Sequence, residues 1–198
     1  MLTVSGINFA QKANQASISN KQSQQYSIKT HSQPMRDTVS FTSFKPLSEL
    51  IGNFGEVIEG KLFRGMFPGQ HLGEFKAQKG VKYIIDLSDE HHTRTAELFA
   101  DDFKKLSIEY IPIKLIDGYL PEALPQRREI AEQIGTLMKK GPVYVCCGAG
   151  QMRTGIVIAS VQHFIERLSR ESILEHAKLH QSTRYVETLL DQIAEANI

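Results

Sequence analysis

Val143-Tyr144-Val145-Cys146-Cys147-Gly148-Ala149-Gly150-Gln151-Met152-Arg153-Thr154-Gly155 is the stretch on which the reading of the whole chain turns. Its β-branched and aromatic beginning predicts a short buried strand. The strand ends at a cysteine and runs into a loop that holds Gly148 and Gly150. Arg153 then opens a strongly apolar segment, Ile156 to Leu168, which predicts a buried helix. Strand, tight loop and helix together set a thiol at the mouth of the loop.

A loop that curls into a helix N-terminus gathers unpaired backbone N–H groups at one point, backed by the positive end of the helix dipole. It is a place for an oxyanion. Gly148 and Gly150 allow unusual φ values and a close approach to a ligand, and Arg153 adds a planar fork suited to phosphate oxygens. The same field acts on Cys147. A free thiol titrates at about 8.5, and lowering that by about three units needs about 4 kcal/mol. A helix terminus supplies roughly 0.3–1 kcal/mol, or about 2 when partly buried. Arg153, the loop amides and the Thr154 hydroxyl must therefore share the task. Side chains alternate along a strand, so Cys146 is expected to point away from the pocket as a small core residue. The plain alternative, two inert buried cysteines, leaves the glycines and the arginine unexplained.

The spacing of Cys147, five residues, then Arg153-Thr154-Gly155 resembles the signature loop of the cysteine-dependent protein tyrosine and dual-specificity phosphatases. The order Lys61-Leu-Phe-Arg-Gly, Gly80-Val-Lys-Tyr-Ile-Ile-Asp-Leu-Ser and Tyr110-Ile-Pro-Ile is similar to that of bacterial dual-specificity-type phosphatases, over roughly Phe54 to the C-terminus. The resemblance implies that Cys147 is the nucleophile. It also implies that Arg153 and the amides of Gly148, Ala149, Gly150, Gln151, Met152 and Arg153 hold the phosphoryl oxygens, with Thr154 stabilising the thiolate as it leaves. An expelled alkoxide or phenoxide needs a proton, and in the resembled family the acid comes from the loop after the strand that here ends near Leu115. Asp117, in Ile116-Asp117-Gly118-Tyr119, is the candidate; its other reading is an Asp-Gly turn. Asp86 and Asp89 are the fallback and Glu122 a weaker one. The family has histidine just before the nucleophile, where this chain has Cys146, a departure that bears on loop order and thiolate stability.

Arg64 either braces the active-site loops or pairs at the surface. Gln181 has the residue type that positions the hydrolytic water in some relatives. His176 and His180 have metal-ligand spacing on a helix but no evident third ligand, so a solvated face is expected. His91-His92 reads as loop.

Net charge is +1 over 198 residues, with both signs interspersed, so neither nucleic acid nor an anionic membrane is an expected partner. Two adjacent cysteines are no disulfide framework. No apolar run approaches the roughly 20 residues that span a bilayer, and the N-terminus lacks the apolar region of a secretory signal. A cytoplasmic monomer is the expectation, with a leaderless route of secretion left open. No metal or organic cofactor is expected, because the loop itself supplies the charge.

Residues 1–45 are polar and without period, and read as a disordered tail; Val39 to Phe44 could pair as an edge strand, though a linker is the simpler reading. Residues 46–198 read as the phosphatase domain. Within it a hairpin turns at Glu59-Gly60, Leu72 and Phe75 suit a helix ending at Gly80, and Val81 to Leu87 is a strand. Thr95 to Leu106 reads as a helix, Glu109 to Leu115 as a strand near a sheet edge, and Pro125 opens a helix running to Gly141. Glu171–His180 and Thr183–Ala194 are two further helices. Strands alternating with helices predict an α/β fold with a central, mostly parallel sheet covered on both faces. The expected function is phosphate monoester hydrolysis on a phosphorylated protein or small phosphorylated substrate. The rival readings are a catalytically weakened phosphate-binding module and a rhodanese-like sulfurtransferase.

Overall fold

The computed structural model describes residues 45–88, 96–115 and 121–196. The expected tail (apart from Lys45), the Val39–Phe44 cluster, Asp89, His91-His92, Thr95 and Asp117 lie outside the described residues.

At Leu47, 3% exposed, the chain enters a core. A short helix α1 (Leu47–Leu50) leads to β1 (Gly55–Ile58), which pairs antiparallel with β2 (Leu62–Met66). The turn between them is closed by Glu56, whose Oε1 accepts from the Gly60 N–H at 2.7 Å. Next come α2 (Leu72–Lys79), β3 (Tyr83–Asp86), α3 (Ala100–Lys105) and β4 (Glu109–Pro112). They are followed by α4 (Leu124–Met138), with Pro125 in its first turn, and β5 (Val143–Cys147). The last elements are α5 (Met152–Phe164), α6 (Arg170–Leu179) and α7 (Thr183–Glu195).

The sheet order is β1-β2-β5-β3-β4, parallel except for the opening hairpin. β5 fills the centre, between β2 and β3, and all five of its residues are buried. A strand covered on both faces needs apolar side chains at every position, which is what Val143-Tyr144-Val145 began to show. β4 lies at the edge, so Pro112 at its end removes no ladder bond from a central strand.

Strand parity sorts the core into two halves. Leu62, Ile85, Val143, Val145 and Cys147 face α4, α5, α6 and α7 in one aliphatic cluster. Phe63, Ile84, Tyr144 and Cys146 face α1, α2 and α3 in the other, which is rich in aromatic rings. Phe75 meets Phe54, Phe63 and Tyr144 edge-on, the last at 4.6 Å between centroids. On the aliphatic side α5 is buried from Thr154 to Gln162 without interruption. α7 instead buries Val186, Leu189, Leu190 and Ile193, the single stripe of an amphipathic helix.

Two helices differ from the sequence pattern. The expected Thr95–Leu106 helix is broken in two: Ala96 and Glu97 are helical, the backbone turns at Leu98 and Phe99, where φ is −108°, and helix resumes over Ala100–Lys105. Ala96 and Phe103 are nonetheless buried on one face, while Leu98 is 81% exposed. The central helix begins earlier and ends earlier than Ile156–Leu168. Arg167 adopts φ +57° and the Leu168 N–H reaches back to the Gln162 carbonyl at 3.0 Å, a wrap-around end that closes the helix.

Candidate active site

The loop from Cys147 to Arg153 leaves the C-terminal end of the central strand, where ligands gather in open α/β sheets. Cys147, Gly148, Ala149, Gln151, Met152 and Arg153 line a cavity of about 170 Å³. Cys147 is 5% exposed, and Cys146, on the opposite face of the strand, is fully buried and outside the lining.

The loop's shape is fixed from outside by two carbonyl contacts. Asn53 Nδ2 donates to the Ala149 carbonyl at 2.9 Å, and Arg64 donates through one terminal nitrogen to the Gly150 carbonyl at 2.8 Å. A trans peptide plane points its C=O and the following N–H in opposite directions. Tying the 149 and 150 carbonyls to β2 and the turn before β1 therefore turns the Gly150 and Gln151 N–H groups the other way. Among the described residues, no acceptor takes either of these N–H groups.

Gly150 is where the sequence had no choice. It is buried at φ +68°, and a Cβ there would lie 2.4 Å from the Gly65 carbonyl carbon and 2.6 Å from the Met66 nitrogen. Gly148, expected to share this role, has no left-handed φ. Gly155 is needed for a different reason: a Cβ there would sit 2.5 Å from the Ser182 Cβ. The first turn of α5 thus packs directly on the start of α7.

Arg153 in the first turn of α5 donates to the Leu87 carbonyl, at 3.4 Å. Thr154 is fully buried, and its Oγ1 has no hydrogen-bond partner among the described residues. Gln151 Nε2 donates to Gln181 Oε1 at 3.0 Å, which brings Gln181, at φ +53°, beside the loop from the turn between α6 and α7. Asp86 is drawn away from the cavity. It is 1% exposed, accepts from the Ser88 N–H at 2.9 Å and the Tyr110 hydroxyl at 2.8 Å, and hydrogen-bonds the Cys146 thiol. That network belongs to the aromatic side of the sheet, so Asp86 is a structural acceptor there. Glu122 is exposed.

Burial, then the Asp86 and Cys147 charges, push the Cys146 thiol well above its ordinary range. Burial and the bond to Asp86 push the Tyr110 phenol up in the same way.

Arg64 is 1% exposed, which rules out the surface ion pair. His176 and His180 do not form the solvated face expected of them. Their rings lie 4.9 Å apart and are partly buried, and the His176 Nε2 is buried without a partner among the described residues. Burial, followed by the positive charge of Arg64, brings both down to about 4. Among the described residues, no group of three or more His, Cys, Asp or Glu side chains could hold a metal ion. No helix among them is long and apolar enough to cross a membrane.

Sequence reasoning missed Asn53 and Leu87. Asn53 left a faint signal, since Gly52-Asn53 is a turn pair and Asn53 takes φ +54°. A backbone carbonyl such as that of Leu87 leaves none.

The sequence profile of the tyrosine phosphatase family matches residues 50–193. Solved structures share the fold at low identity. P. aeruginosa TpbA, in a cysteine-to-serine form in complex with pTyr, is 16% identical, with 72% of this chain and 81% of that one covered and a TM-score of 0.51. PTPMT1 in complex with PI(5)P is 18% identical over 72% and 98% of the two chains, at 0.50. The human tyrosine phosphatase-like serine/threonine/tyrosine-interacting protein is 16% identical over 73% and 98%, at 0.51. No curated protein matches significantly. With its strand, loop and helix inside a matched region that takes in all but the ends of the folded part, the chain belongs to the tyrosine phosphatase family.

Proposed function

We propose that residues 46–198 form a phosphatase domain that hydrolyses phosphate monoesters through a phosphocysteine intermediate. The observation that carries this reading is the cavity itself: Cys147 lies in it, inside a loop whose carbonyls are tied outward by Asn53 and Arg64. The Cys147 thiolate attacks phosphorus, an S–P bond forms and the ester P–O bond breaks. The leaving oxygen takes its proton from Asp117. Water then attacks the phosphocysteine, giving a proton to the Asp117 carboxylate as the S–P bond breaks and inorganic phosphate leaves. Arg153 and the amides from Gly148 to Arg153 hold the three phosphoryl oxygens, and Thr154 donates to the sulfur as it departs. The buried, unpartnered Thr154 hydroxyl supports that last role.

A singly phosphorylated substrate fits the loop better than a multiply phosphorylated headgroup, because the interior Gly-Ala-Gly-Gln-Met carries no cation to meet a second phosphate. The fold itself does not choose, since TpbA binds pTyr and PTPMT1 binds PI(5)P on it. The departure at Cys146 sits on the far side of β5, so its thiol does not touch the phosphate. That favours turnover over a binding-only module.

Acid-quenched mass spectrometry during p-nitrophenyl phosphate turnover tests the reading. A phosphate adduct of 80 Da on the peptide holding Cys147 is expected (80 Da is about the mass added by one phosphoryl group). Steady turnover with no such adduct under any quench would remove the covalent mechanism. Asp117→Asn is expected to slow a phosphotyrosine peptide by about 10²–10⁴-fold and an activated aryl phosphate much less. Equal losses on both would place the acid elsewhere.

A further inference from the structure

Arg64 stands apart from other charged groups of the core. It projects from β2 on the Cys147 side of the sheet, where Leu62, Arg64 and Met66 run beside Val143, Val145 and Cys147 in parallel register. Among the described residues its one hydrogen bond goes to the Gly150 carbonyl, its Nε is buried without a partner, and no carboxylate pairs with it. A buried guanidinium without a counter-ion is costly and is retained only where something nearby supplies the negative charge. The titratable groups close enough to interact electrostatically with it are Cys147 on β5, His176 on α6, His180 just past that helix and, from the other face of the sheet, Tyr144. Cys147 is the one among them that the proposed reaction needs as an anion.

We infer that Arg64 is a positioning residue of the site: its hydrogen bond holds the loop at Gly150, and its charge is the internal counter-ion of the Cys147 thiolate. This rests on Cys147 being the nucleophile. It also gives a place to the departure at Cys146. The polar support that the resembled family draws from histidine on the nucleophile's own strand comes here from the neighbouring strand. Burial brings the Arg64 guanidinium down to about 10, with Cys147 opposing the fall, so the side chain keeps its charge at neutral pH. His176 and His180, brought down to about 4, are neutral there. They wall the guanidinium in without competing for the thiolate.

The test follows the pH dependence of iodoacetamide alkylation, read by mass on the peptide holding Cys147, in wild type and Arg64→Met. The expected result is an alkylation midpoint raised by about one unit or more, with about tenfold less thiolate at a fixed pH below it. A folded Arg64→Met protein with the wild-type midpoint overturns the proposal. If that variant does not fold, Arg64→Lys decides. It keeps the charge and loses the fork, so its midpoint should stay near wild type while the KM for p-nitrophenyl phosphate and the Kd for inorganic phosphate rise several-fold. Unchanged phosphate affinity in the lysine variant overturns the loop-holding role. Cys147→Ser is the separate control: turnover surviving in it would sink the nucleophile assignment, whereas its loss alongside unshifted Arg64 variants would sink only the role of Arg64.

Discussion

On the helix-rich face of β5, aliphatic side chains lead up to Cys147, a cavity and a loop whose carbonyls are held from behind. On the aromatic face, one residue earlier, Cys146 is fully enclosed among Phe63, Phe75, Tyr144 and their neighbours and bonds to Asp86. The two thiols are adjacent in sequence and made of the same atoms. What separates them is the parity of a strand, which gives one a cavity to open into and the other a carboxylate that discourages ionisation. On the proposed reading, reactivity is a property of the face.

The largest expected contrast is between the cysteines themselves. Cys147→Ser should abolish p-nitrophenyl phosphate turnover while vanadate binding by calorimetry survives, because the serine keeps the shape and loses the anionic nucleophile. Cys146→Ser should keep kcat/KM within a few-fold and lower Tm. Equal loss from both changes would break the comparison outright.

Next in size is Arg153→Lys. Charge is kept, the bidentate fork is lost, and kcat should fall by about 10²-fold, the scale of removing one donor aimed at an oxyanion. A lysine variant with near-normal kcat/KM would mean that Arg153 serves chiefly its bond to Leu87.

On the other face the same kind of polar deletion should change stability alone. Tyr110→Phe removes a donor from buried Asp86 and should cost about 1–3 kcal/mol in urea unfolding. Turnover should be preserved. A marked fall in kcat in the folded variant would show that the aromatic face reaches the chemistry through Asp86, Ser88 and the turn that carries Leu87.

The last expected effect concerns acid. His176 and His180 have folded values near 4, below the unfolded value of about 6.5. Between those limits the unfolded chain binds more protons, so stability rises with pH. Their contribution is fully present above about 6.5 and is lost as pH falls toward 4. Chemical denaturation at pH 7 and pH 5 should show that loss, and His176→Phe should shrink it. An unchanged difference in that variant would assign the acid sensitivity to other groups.

Much of this organisation was legible in the chain before any coordinates. The run Val143-Tyr144-Val145 announced a buried strand because a strand covered on both faces has no place for polar side chains, and the glycine at 150 marked an unusual φ and a close approach. At Gly150 the expectation was a close approach to a ligand, and the structure shows the backbone of Gly65 and Met66 there as well; strand alternation alone placed Cys146 and Cys147 on opposite faces. Other features were illegible for reasons of the same kind. The histidines at 176 and 180 looked solvated because a helix pattern records neighbours along one helix and nothing of the β2 arginine that comes to lie beside them. Arg64 allowed two readings because a lone arginine in an apolar run looks the same whether its partner is a distant carbonyl or a surface carboxylate. Asn53 showed at most as a turn residue, since its partner is the backbone of Ala149 and main-chain atoms carry no sequence signature.

The place of β5 has a consequence for how the protein is made. Arg64 and Gly150, joined by a hydrogen bond, stand 86 positions apart. As the chain is synthesised, β2 and β3 therefore emerge with an empty slot between them, and two strand edges stay unpaired until β5 arrives. Closing so long a loop is slow, and open edges invite contact with other chains. The insertion that fills the slot is also the step that delivers Cys147 and carries the loop against Gly65. A half-made chain thus lacks the loop on which the proposed chemistry rests, and Cys147 reaches its cavity only in molecules whose sheet is already complete.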